Sequence, residues 1–250
     1  MSFKYILFDL DGTLTDPKEG ITKSVQHALR AFGIDEPDLD QLVSFIGPPL
    51  IESFRDFYDF TPEQALEGVA KYREYFCDRG IFENKVIPGI PRLLQNLKEN
   101  GKILCLATSK PEPFARKILE HFDLMQWFDE TVGASLDESR GTKKDVIEDA
   151  LRRLQIGEKE RRETVMVGDR KHDILAASAL ELSSVGVTFG YAPEGELKTA
   201  GAGHIVSSVE ELEAYLLKYK LSCPISESVK GDYYECRTAF NTEECRSLSE

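Results

Sequence analysis

Two aspartates two residues apart, Asp9 and Asp11, stand at the end of the apolar run FKYILF and are followed by Gly12 and Thr13. Side chains of an extended chain alternate, so both carboxylates point to one side. Like charges that close are unfavourable unless a cation sits between them or one carboxyl keeps its proton. A DxD pair alone is usually a solvated turn. Here the buried run before it and the sharp turn that Gly12 permits after it favour chemistry. A second acidic pair closes the run TVMVG: Asp169 at its end and Asp173 one helical turn further on the same face. Magnesium takes oxygen ligands and keeps several waters, so two or three carboxylates from different strand ends suffice to hold it. The plain alternative is that Asp169 only caps the helix after it.

An anion site has its own candidates. Thr108, at the end of KILCLA, offers a hydroxyl and nearby backbone amides, and the helix expected to start near Pro111 points its positive end back at them. Thr108 also reads as an ordinary cap. Thr142-Lys143-Lys144-Asp145 has the form of a capping box, which puts a lysine in the first turn of a helix facing the same strand ends. A cation there is misplaced against the helix dipole unless an anion compensates it. Spacing alone does not choose between Lys143 and Lys144.

These residues need elements that bring them together. Apolar runs at 3–8, 102–107, 164–168 and 183–188 each stop at polar or glycine residues. Between them Ile90, Leu93, Leu94 and Leu97, then Ala115, Ile118, Leu119 and Phe122, then Ile147, Ala150, Leu151 and Leu154 follow helical spacing. Strand and helix alternate, which predicts an α/β fold with a doubly wound parallel sheet and a ligand site at the carboxyl ends of its strands. The interval 16–86 holds no strand-like run and reads as an inserted helical module. In it, Thr61-Pro62-Glu63-Gln64 is a capping box, and Ala65, Val69, Tyr72 and Phe76 trace one apolar face. Pro88-Gly89 marks the return to the core. The expected organisation is a core of 1–15 and 87–221, a helical cap of 16–86 and a C-terminal tail of 222–250 whose role the sequence does not give.

A length of 250 residues with 41% apolar residues supports one well-buried core and leaves room for a smaller module. The formal net charge of -13 opposes binding to nucleic acid or to an anionic membrane. With no targeting segment at the start and no long apolar run, a cytoplasmic location is expected. Cys77 and Cys105 read as buried thiols, while Cys223, Cys236 and Cys245 lack metal spacing, as do His27, His121, His172 and His204.

In order, DLDGT, a strand-ending Thr-Ser, a lysine and GDxxxD resemble the haloacid dehalogenase (HAD) superfamily of phosphatases over residues 1–221. The resemblance implies a Rossmann-like core with residues 16–86 as a mobile cap. It implies that Asp9 is the nucleophile and Asp11 the proton donor and acceptor. Magnesium would be held by the Asp9 carboxylate, the Asp11 carbonyl and the Asp169 carboxylate, with Asp173 supporting that shell. Thr108 and the Ser109 amide would bind phosphoryl oxygens. The family pattern, here Arg140, Lys143, Val146 and Ile147, makes Lys143 the lysine that offsets Asp9 and the phosphate. Phe45–Leu50, Tyr72-Arg73 and Val86–Gly89 are most similar to the phosphoglycolate phosphatase group and related bacterial 5'-nucleotidases. The implied reaction is hydrolysis of a small phosphorylated metabolite, phosphoglycolate or a nucleoside 5'-monophosphate, by a monomer or homodimer. Arg55 and Arg73 are the cap residues expected to hold a leaving group's carboxylate or sugar hydroxyls. Two alternatives share the motifs: a mutase resembling beta-phosphoglucomutase, disfavoured because Gly47-Pro48-Pro49 offers nothing to hold a second phosphate, and a non-catalytic module that binds a phosphometabolite.

Overall fold

Tyr5–Phe8 forms β1, and every side chain in it is buried because the strand is covered on both faces. Ile6 and Phe8 enter one apolar layer, Tyr5 and Leu7 the other. The structure, a computed structural model, describes residues 3–136 and 140–217; the expected tail 222–250 and its three cysteines lie outside the described residues. After a turn the chain forms the two-residue strand β2 (Thr15–Asp16), α1 (Lys18–Ala31), a 3-10 turn (Leu39–Phe45), α2 (Leu50–Tyr58), α3 (Pro62–Tyr75) and a π turn (Phe76–Gly80). The chain returns through β3 (Lys85–Val86), antiparallel to β2, and α4 (Ile90–Glu99).

From here strand and helix alternate: β4 (Ile103–Pro111), α5 (Glu112–His121), β5 (Glu130–Ala134), α6 (Lys143–Arg153), α7 (Glu158–Arg161) and β6 (Thr164–Gly168). Then follow α8 (Lys171–Ala179), β7 (Ser183–Val187), α9 (Glu196–Thr199), β8 (His204–Val206) and α10 (Val209–Leu216). The sheet has six strands in the order β5-β4-β1-β6-β7-β8, and each adjacent pair is parallel. Two layers cover it. Leu104, Leu106, Val165 and Val167 join Ile6 and Phe8 against α4, α5 and α10, while Cys105, Ala107 and Met166 join Tyr5 and Leu7 against α6 and α8. This is the doubly wound α/β architecture that the alternation predicts.

Three differences from the sequence reading have physical causes. β5 and β8 went unread because Glu130–Ala134 is half-polar at its start and His204–Val206 is too short to carry a period. β4 does not stop at Thr108 but continues to Pro111, with a register shift between the two. Cys77 is exposed rather than buried, since the π turn points it away from the apolar face that continues through Phe76; Cys105 is buried in β4 as expected. No helix among the described residues is long and apolar enough to cross a membrane.

The helical segment has a core of its own. Thr61 and Gln64 form the reciprocal cap that starts α3. Phe54 packs between Phe45 and Phe60, with ring centroids at 5.2 and 5.5 Å. Arg140 has a packing role: it meets Asp149 at 2.8 Å and Glu112 at 3.1 Å, and Arg153 bridges the same two carboxylates at 2.9 and 3.1 Å. That network joins the loop before α6 to the start of α5.

Candidate active site

Asp9 directly follows β1, and its backbone N–H donates to Val167 O at 2.9 Å. Strand parity turns its side chain toward the layer of Tyr5 and Leu7, which is the layer that α6 covers. Thr142 and Asp145 cap α6 reciprocally and so place Lys143 in its first turn. Lys143 Nζ lies 2.8 Å from Asp9 Oδ1 and 2.8 Å from Asp173 Oδ1, and donates to Ala107 O at 3.1 Å. Two carboxylates and one carbonyl thus surround the ammonium. Burial opposes the charge on Lys143, but Asp173 and Asp9 outweigh it and raise the pKa. Lys144 is exposed and lies 3.7 Å from Glu148, so geometry separates two lysines that spacing does not.

Asp169 directly follows β6 and is fully buried; it accepts from Tyr191 N at 2.8 Å and, weakly, from Thr13 Oγ1 at 3.4 Å. Gly12 is required at this contact. Its φ is +79°, and a Cβ there would lie 2.2 Å from Asp169 Oδ2. Asp173 caps α8 by accepting from Arg170 N at 3.1 Å through Oδ2, while Oδ1 is ion-paired with Lys143. Burial raises the pKa of Asp169 well above the carboxylate range, with Asp9 and Asp173 adding to it, and burial also raises that of Asp173 against the pull of Lys143.

Asp9, Asp169 and Asp173 bring one ligand atom each within 4.8 Å of one another, the one such cluster found among the described residues. Three buried carboxylates facing one lysine leave uncompensated negative charge in a set made only of oxygen donors. That fits a hard divalent cation.

The opposite side of the pocket holds a residue the sequence reading did not single out. Lys110 Nζ lies 2.8 Å from Asp11 Oδ2 and 4.8 Å from the centroid of the Phe76 ring, and both partners of the ion pair are largely buried. The signal was period two, since Lys110 lies two residues past Thr108 on a strand that continues beyond it. Asp11 Oδ1 is buried without a hydrogen-bond partner among the described residues. Burial raises the pKa of Asp11, Lys110 opposes this, and Asp9 adds to it. Thr108 is buried and its hydroxyl accepts from Lys110 N at 3.2 Å; Ser109 beside it is half-buried. Tyr72 stacks on Phe76, and its hydroxyl pKa is pushed up by burial and by the charge of Asp11.

Arg55 and Arg73 are both exposed, on α2 and α3, and neither enters an ion pair among the described residues. Phe54, fully buried, belongs to the core of the helical segment. The histidines are dispersed: His27 is 3.4 Å from Glu74, His121 lies between Phe82 and Phe122, and His204 stacks on Tyr215.

Known proteins share this construction. A family model described as haloacid dehalogenase-like hydrolase matches residues 6–187. The chain is 44% identical over 216 residues to a 5'-nucleotidase of Pseudomonas aeruginosa, covering 86% of this chain and 96% of that one. It is 43% identical over 187 residues to the tyrosine-protein kinase PtkA of Mycobacterium tuberculosis, covering 74% of this chain but 62% of that protein. A solved structure of a predicted phosphatase from Clostridium acetobutylicum is 48% identical with a TM-score of 0.83, covering 88% of this chain and all of that one. With the acidic strand ends, the sheet order and the family match in agreement, this chain belongs to the haloacid dehalogenase-like hydrolase family and is a phosphatase.

Proposed function

We propose that the chain hydrolyses a small phosphomonoester with magnesium as its cation and Asp9 as its nucleophile. The observation that carries this reading is the three-way contact of Lys143 with Asp9, Asp173 and Ala107, which fixes Asp9 beside a cluster of oxygen donors. Asp9 and Asp169 would hold the ion with the Asp11 carbonyl, and Asp173 would hold Lys143. When bound, magnesium neutralises charge on the phosphoryl oxygens. An Asp9 oxygen attacks phosphorus, and the ester P–O bond breaks as Asp11 gives its proton to the leaving oxygen. Water then attacks the aspartyl-phosphate, Asp11 takes the water's proton, and the bond between Asp9 and phosphorus breaks. Thr108 and the Ser109 amide would bind phosphoryl oxygens during both steps. The helical segment 16–86 would act as the cap over this site.

Chelation tests the metal. EDTA should abolish activity and magnesium restore it, while full activity in excess EDTA would exclude the assignment. Stability gives an independent reading. Asp169 has a raised pKa in the fold, so its contribution is fully present below its unfolded value and lost as pH rises through the folded one. A cation that replaces the proton should therefore stabilise most above that range, by about 2.7 kcal/mol at a hundred times Kd. The rise in Tm on adding magnesium should be larger at pH 8 than at pH 5, and an equal rise at both would argue against binding at these carboxylates.

Phosphoglycolate and nucleoside 5'-monophosphates are the candidate substrates. Lys110 supports a small leaving group that carries its own negative charge, because a buried cation beside Asp11 and the Phe76 ring is set for a carboxylate more than for a neutral ribose. Assay of phosphoglycolate, AMP, UMP, glucose-1-phosphate and pyrophosphate decides between them. Lys110→Met should raise KM for phosphoglycolate by about tenfold more than for AMP, which corresponds to one charged hydrogen bond of roughly 1.5–3 kcal/mol. Equal effects on both substrates would remove Lys110 from leaving-group recognition.

A further inference from the structure

The Phe-Ile-Gly-Pro-Pro stretch and the arginine after Asp169 are two sequence features that the phosphoryl chemistry leaves unused, and in the fold they meet. Arg170 Nη1 donates to Ile46 O at 2.6 Å. Ile46 directly follows the 3-10 turn between α1 and α2, and its own side chain is buried in the apolar layer. The same guanidinium is rooted in the core by Glu196 of α9, with Nε at 3.0 Å and Nη2 at 3.5 Å, and Glu196 also accepts from Lys171 N at 2.9 Å. Arg170 and Glu196 side chains are each 12% exposed, so this is a largely buried strut and not a solvated surface pair.

Gly47 permits the approach. Its φ is +107°, and a Cβ there would lie 2.8 Å from Arg170 Nη1 and 3.1 Å from Cγ. At the other end the backbone of Arg170 is held by Asp173 and directly follows Asp169. One side chain thus joins the backbone that carries both carboxylates to the segment between α1 and α2. Guanidinium geometry is needed for this, because three donors in a fixed fork serve Ile46 on one side and Glu196 on the other, and a lysine cannot span both.

We propose that Arg170 is a positioning residue that clamps residues 46–47 of the helical segment onto the loop carrying Asp169, and so holds the closed arrangement in which the site works. The inference rests on the reading of this site as the phosphatase centre. A side chain that sets closure should move kcat and KM together, and a misplacement of about 1 Å costs roughly a hundredfold in rate.

The test compares Arg170→Met, Arg170→Lys, Gly47→Ala and the Gly47→Ala/Arg170→Met double variant with the wild type, by steady-state kinetics and amide hydrogen exchange. All three single variants are expected to lose ten- to hundredfold in kcat/KM, with faster exchange confined to residues 39–58 and unchanged protection in β1, β4 and β6. The double variant should be no worse than the poorer single one, because both changes break one contact. Wild-type kinetics in Arg170→Met, unchanged exchange in 39–58, full rescue by lysine, or multiplying losses in the double variant would each overturn the clamp. Should Arg170→Met fail to fold, Glu196→Gln loosens the root of the strut and is read by the same exchange measurement. A wild type inactive on every phosphomonoester would sink the reading of the site, while the exchange comparison would still judge the clamp.

Discussion

Asp9→Asn is expected to abolish turnover, with a loss of at least on the order of a hundredfold in kcat, because an amide oxygen cannot form the covalent phosphoryl bond. Asp11→Asn should lose a similar factor for a different reason, since in the proposed mechanism it removes only the group that gives and retrieves the proton. The two are separated by the intermediate. With a donor whose leaving group needs no proton, the Asp11 variant should still be phosphorylated on the peptide containing residue 9, and the Asp9 variant should not. Label on the Asp9→Asn protein would reverse the roles. The surroundings favour the assignment in one respect: Asp9 shares the Lys143 ammonium with Asp173, whereas Asp11 faces Lys110 in a site where burial raises its pKa.

Which parts of this were legible in the sequence follows from where the forces act. The strands β1, β4, β6 and β7 could be read because burial on both faces makes them continuous apolar runs, and the helices α4, α5 and α6 because one face packs on the sheet. The motif aspartates were legible through their position after such strands. Spacing alone leaves Lys143 and Lys144 equivalent, because the capping box at Thr142 puts both in the first turn; the family pattern points to Lys143, and the fold turns that lysine inward. Lys110 was missed since the irregular end of β4 breaks the run that would have marked it as strand. Arg55 and Arg73 lie exposed on α2 and α3, and their charge carries no information on the direction that a surface helix presents. The contact of Arg170 with Ile46 joins residues far apart in the chain, through a backbone carbonyl, which no side-chain pattern encodes.

Removing Lys143 is the variant in which stability and activity should fall together. Its ammonium is the common partner of Asp9 and Asp173, so Lys143→Met leaves two buried carboxylates facing each other and Asp169 with no lysine between them. Breaking a buried ion pair by deleting one member costs about 3–5 kcal/mol. In a domain of this size that is a drop in Tm of roughly 10 °C. The pH dependence identifies the cause. Lys143 has a raised pKa, so its stabilising effect is fully present below 10.5 and is not lost anywhere in the neutral range. The carboxylates behave oppositely to a paired acid: Asp173 and Asp169 have raised values, and their unfavourable charge is relieved as pH falls through them. The deficit of the variant should therefore be largest near pH 8, shrink toward pH 5 as the orphaned carboxyls take up protons, and shrink at pH 8 when a divalent cation is added. Activity should not return with the cation, because magnesium can neutralise the cluster but cannot orient Asp9 as the ammonium does. A deficit in Tm that is the same at both pH values would mean that the variant suffers from lost packing, and that the charge balance drawn here is wrong.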